Sequence, residues 1–83
     1  MSKTEIDNIL GRLQVEAIPH GRQAENAVAD ILWYINTGRA STDFLKALCG
    51  LSRNRVQTLI GRITEAGSTE NVIKVTKTYL KVE

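Results

Sequence analysis

Cysteine, proline, histidine and aromatic residues are all scarce in this chain of 83 residues, which carries one Cys, one Pro, one His and only 5% aromatics. A single cysteine, Cys49, excludes an intramolecular disulfide, and His20 with Cys49 supplies too few ligands for a structural zinc site. One histidine and no spaced carboxylate pair leave no nucleophile with a base and an orienting group, so the expectation is a non-enzyme without cofactor or metal. No apolar run approaches the roughly 18 residues needed to cross a bilayer, and Met1 to Glu5 lacks the apolar core of a signal peptide. The expected location is therefore cytoplasmic, with no membrane partner. A chain this short buries only about 60% of its unfolded surface, so dimerisation is a natural source of added stability.

What is present is a soluble globular composition, 42% apolar and 24% charged, with a formal net charge of +2. That charge is unevenly spread. Residues 1–38 hold Lys3, Arg12 and Arg22 against Glu5, Asp7, Glu16, Glu25 and Asp30, a net −2. Residues 39–83 hold Arg39, Lys46, Arg53, Arg55, Arg62, Lys74, Lys77 and Lys81 against Asp43, Glu65, Glu70 and Glu83, a net +4. An anionic partner belongs on the second half.

Hydrophobic spacing divides the chain into successive elements. Ser2 and Glu5 stand at capping-box spacing before Ile6, Ile9, Leu10 and Leu13, an amphipathic helix that stops before Pro19. A second helix carries Ala24, Val28, Ile31, Leu32 and Ile35 on one face, with Gly38 placed as a left-handed cap. Trp33 points away from that stripe, which predicts packing on the amino-terminal helix or, in the sharper reading, a dimer surface. Ser41 or Thr42 caps a short helix bearing Phe44, Leu45, Leu48 and Cys49. Ser52 caps a longer one that runs to about Ala66, with Val56, Leu59, Ile60 and Ile63 buried and Gly67 at its end. From Asn71 to Glu83 the period changes. Ile73 and Val75 alternate with polar neighbours and β-branched residues are dense, which predicts strand. A parity shift between Ile73/Val75 and Leu80/Val82 suggests a hairpin reversing near Thr76 to Thr78, with one long strand as the alternative.

A short helix, a turn containing Gly and a longer helix with basic and amide side chains is the arrangement that places a helix in a DNA major groove. Here it spans Thr42 to Ile63. Gly50-Leu51-Ser52-Arg53 resembles the Gly-hydrophobic-Ser turn of helix-turn-helix proteins, with Val56 and Leu59 at the family's buried positions. One position departs: Lys46 stands four before the glycine, where the family carries a small residue. With the helix before it and the β segment after it, 22–83 resembles a winged helix-turn-helix domain of small prokaryotic or phage regulators. The resemblance implies a mainly α fold with a small C-terminal β element, in which a trihelical core plus β-hairpin wing follows an extra N-terminal helix at 1–18, the whole forming a single domain.

On a helical wheel with Val56 at the origin, Asn54, Thr58 and Gly61 fall at about 160°, 200° and 140°, opposite the buried stripe, while Gln57, Arg55 and Arg62 flank them. Asn54, Arg55, Gln57, Thr58 and Gly61 are the candidate base-reading residues, because amides can pair with adenine, Arg with guanine, and the Thr methyl with thymine. Ser52 and Arg53 at the helix start, with Arg39, Lys46 and Arg62, suit phosphate. Lys74 and Lys77, joined by Lys81, are the expected wing contacts. The candidate dimer or partner surface is Ile6, Leu10, Leu13, Trp33 and Tyr34.

Two functions follow as expectations. The first is a sequence-specific, homodimeric, nucleoid-associated regulator of double-stranded DNA that inserts helix 52–66 into the major groove. The alternative is a protein-interaction module on the same fold, such as a phage- or plasmid-encoded factor that adjusts a host machine, using an apolar patch around Trp33 and Tyr34.

Overall fold

A computed structural model describes residues 2–83, and among them there are five α-helices, one 3₁₀ turn and no strand. The helices are α1 (Lys3–Ala17), α2 (Arg22–Asn36), α3 (Thr42–Cys49), α4 (Arg53–Thr64) and α5 (Thr69–Leu80), with the 3₁₀ turn at Ile18–His20.

Serines start four of the five helices. The hydroxyls of Ser2, Ser41, Ser52 and Ser68 accept from the backbone N–H groups of Glu5, Phe44, Arg55 and Asn71, satisfying one otherwise orphaned donor at each N-terminus. The Ser2 hydroxyl also donates to the Glu5 carboxylate, so the two residues read at capping-box spacing do meet, side chain to side chain. The end of α2 is closed by Gly38 at φ +77, where Arg39 N–H reaches Tyr34 O at 3.3 Å and Gly38 N–H reaches Ile35 O at 3.1 Å. This paired pattern needs a left-handed residue at Gly38 and returns Arg39 over the last turn of the helix.

Apolar side chains from all five helices form one core. Phe44 of α3 lies at its centre, edge-on to Tyr34 of α2 with ring centroids 5.3 Å apart. α1 contributes Ile9, Leu13 and Ala17, one face of the helix, so it completes this core rather than standing outside it.

The expected β element and hairpin wing are contradicted, because 69–80 is the helix α5. Val72, Ile73, Thr76 and Leu80 are its buried residues, a spacing of one, four and eight that belongs to a helix. The pattern is masked in the sequence because one core position is a threonine. The Thr76 hydroxyl donates to the carbonyl of Val72, one turn back, at 2.8 Å, so its burial leaves no polar group unsatisfied. The termination of α5 is equally unadvertised. Lys81 takes the left-handed conformation (φ 59) that glycine usually supplies, with Val82 N–H on Lys77 O at 3.0 Å.

The turn between α3 and α4 also differs from the tight crossing that the resemblance implies. Gly50 has φ −83, so the turn makes no use of glycine's left-handed freedom. No Cα atoms of α3 and α4 approach within 8 Å. Lys46, placed by the resemblance at the point of closest helix contact, is exposed. α3 leans instead on α1 and α5, while α4 rests on α2, α5 and α1.

Candidate nucleic-acid interface on α4 and α5

α4 buries Val56, Leu59, Ile60 and Ile63, the stripe read from the sequence, and this fixes the rest of its surface outward. Asn54, Arg55, Gln57, Thr58, Gly61 and Arg62 are all exposed. A Cβ on Gly61 would meet nothing within 4 Å, so the backbone there is open to close approach by a ligand. The Thr58 hydroxyl donates to Asn54 O at 3.0 Å, and Glu65 closes the same surface at the C-terminal end with negative charge. The exposed face of α4 ahead of Glu65 is therefore the part suited to an anion.

That face has two different flanks. On the α1 side, the Glu16 carboxylate accepts from Gln57 Nε2 at 3.0 Å and pairs with Arg53 Nε at 3.4 Å. Two of the candidate DNA-contacting side chains are thus held by an acid of the chain's own first helix. On the α5 side, the guanidinium carbons of Arg55 and Arg62 lie 5.2 and 5.0 Å from the Tyr79 ring centroid. These arginines stand seven residues apart, two turns along one face, and the aromatic ring between the helices gathers both. Among the described residues Arg53–Glu16 is the only ion pair, so Arg55 and Arg62 concentrate two positive charges without a carboxylate to neutralise them.

The remaining candidate residues fall elsewhere. Lys74 and Lys77, expected on a wing, lie on α5, with Lys77 Nζ 5.4 Å from the Tyr34 ring. Arg39 lies over Trp33 at 5.0 Å. Ser52 is engaged as the cap of α4. Lys46 projects from α3, on a different helix from the arginine pair.

The proposed partner surface does not survive as a unit. Leu13 and Tyr34 are inside the core, Ile6 and Leu10 are half-buried, and Trp33 lines the α2–α5 side rather than packing on α1. The most exposed large aliphatic side chains are Val15 and Ile18, at 64% and 62%, beside a shallow groove of about 310 Å³ shared with Val28 and Ala29. Neither stands out in the sequence, since a single apolar residue outside a helical stripe carries no signal of its own.

Cys49 is half-buried, and desolvation together with the nearby Glu5 carboxylate pushes its thiol pKa up. The described residues hold no cluster of three His, Cys, Asp or Glu side chains that could bind a metal, and no helix long and apolar enough to cross a membrane. No family model, curated protein or solved structure matches the chain.

Proposed function

We propose that this protein binds double-stranded DNA through α4, with its exposed face from Asn54 to Gly61 toward the groove and the Arg55–Arg62 pair clamping the phosphate backbone along one side. The observation that carries the reading is the pair of unneutralised guanidinium groups gathered on Tyr79. Neither guanidinium has a carboxylate partner among the described residues, so each can form charge-assisted hydrogen bonds to an anionic oxygen of the backbone. Asn54, Thr58 and the bare backbone at Gly61 supply the adjacent surface for base edges. Glu16 tempers the opposite flank by occupying Arg53 and Gln57. Regulation by site occupancy follows from such binding, and so does association with the nucleoid.

The test is fluorescence anisotropy with a labelled random-sequence duplex from about 50 to 200 mM salt. Affinity should fall linearly with salt on logarithmic axes, and the slope should shrink by about two units in the Arg55→Ala/Arg62→Ala double variant. Absence of binding at the lowest salt, or an unchanged slope in the variant, overturns the proposal.

A second reading, a protein-contacting surface at the α1–α2 end, is favoured by the exposure of Val15 and Ile18. Light scattering on the wild type and on Val15→Asp/Ile18→Asp tests it. A species of twice the chain mass that the variant reduces to one would support a homodimer built on that end.

A further inference from the structure

The other flank of α5 forms a separate feature. Between α2 and α5 lies an open cleft of about 640 Å³, lined by Trp33, Tyr34, Arg39, Glu70, Lys74 and Lys77 among others. Its volume falls within the roughly 300–1,000 Å³ typical of small-ligand sites. Trp33 is 48% exposed even with the Arg39 guanidinium above it, an unusual state for the largest apolar side chain in the sequence. The Gly38 turn sets Arg39 there, and Lys77 stands over the Tyr34 ring. Three cations face this cleft against one carboxylate, and none of the three belongs to an ion pair among the described residues.

A flat apolar ring beside three uncompensated positive charges matches one kind of ligand best: a planar aromatic group joined to an anion. We infer that the α2–α5 cleft binds a nucleotide unit, its base stacked on the indole of Trp33 and its phosphate held by Arg39, Lys74 and Lys77. Stacking on an aromatic side chain tolerates any base, since every base has a π face, and the lysines act on the phosphate as point charges. The unit comes either from a free mononucleotide or from a single strand. The Arg55–Arg62 clamp lies on the opposite flank of α5, so this site does not require duplex binding at α4.

Trp33 is the only tryptophan, so its fluorescence reports on the cleft directly. The full chain is titrated with thymidine monophosphate, with a short oligothymidylate strand, with inorganic phosphate and with an acidic phenylalanine-containing peptide. Saturable quenching by the mononucleotide and the strand supports the site and identifies a free nucleotide as sufficient, whereas saturation by the strand alone supports it with a strand as the source. Arg39→Ala and Lys74→Ala, checked for helical content by circular dichroism, should each weaken that binding at least about fivefold. Arg55→Ala/Arg62→Ala should leave it unchanged. The inference is overturned by no quenching from either nucleotide probe, by phosphate alone matching them, by tighter binding of the peptide, or by equal weakening in the Arg55/Arg62 variant.

Discussion

The two α-helical hairpins of this protein share one core and carry opposite surfaces. α1 and α2 hold five acids, Glu5, Asp7, Glu16, Glu25 and Asp30, against Lys3, Arg12 and Arg22. α4 and α5, taken to the Lys81 cap, hold Arg53, Arg55, Arg62, Lys74, Lys77 and Lys81 against Glu65 and Glu70. Burial does not account for the difference, since the apolar stripes of all four helices enter the same cluster. The charge is free to vary because it lies outside that cluster, and its segregation creates a field that an anion meets on one side only. Glu16 is where the two halves meet, an acid of α1 seated against the first turn of α4.

The comparison breaks most visibly if α1 is not part of the core. Leu13 is fully buried, so Leu13→Ala should cost about 2–5 kcal/mol in urea unfolding. A loss well under 1 kcal/mol would return α1 to the status of an appendage. The next largest effect belongs to the basic half. Arg55→Ala/Arg62→Ala should cut the salt dependence of duplex binding by about two units while costing the fold only about 1–2 kcal/mol, since two exposed cation–π contacts are lost.

Smaller effects separate helix from strand at the C-terminal end. Ser68→Ala should destabilise by about 1 kcal/mol by removing the cap of α5. Lys81→Gly should stabilise by roughly 1 kcal/mol, because glycine adopts the left-handed conformation at no steric cost. A strand at 71–83 predicts neither result, so the two variants together read the secondary structure from thermal unfolding. The smallest change sharpens the boundary between the halves. Glu16→Gln removes an ion pair with an exposed arginine, so stability should move by less than about 1 kcal/mol. Duplex affinity should nonetheless rise a few-fold by the same titration, since Arg53 is released and a negative charge beside the interface is gone.

These residues also show what could be read in advance. Helices α1 to α4 follow from apolar spacing, with serines marking the starts of α1, α3 and α4, and the buried stripe of α4 is the one its spacing predicts. α5 is misread as strand because Thr76 occupies a core position and Lys81 ends the helix where glycine would have announced it. Counting the threonine as buried, and Ser68 as a cap, would have recovered the period. The neighbours of the α4 surface were not legible at all. That Tyr79 would gather Arg55 and Arg62, and that Glu16 would hold Arg53 and Gln57, depends on contacts between distant segments, which periodicity within one helix does not encode.

The central claim is that duplex DNA meets the α4–α5 surface and not the outer faces of α1 and α2. Backbone amide NMR of the isotope-labelled protein, titrated with a random-sequence duplex at about 50 mM salt, tests it most directly, because low salt preserves phosphate contacts. The account predicts progressive shifts in Asn54 to Arg62 and along the Tyr79 side of α5, with Val15, Ile18 and the outer faces of α1 and α2 unmoved. Shifts concentrated on α1 and α2, or none anywhere, would contradict it.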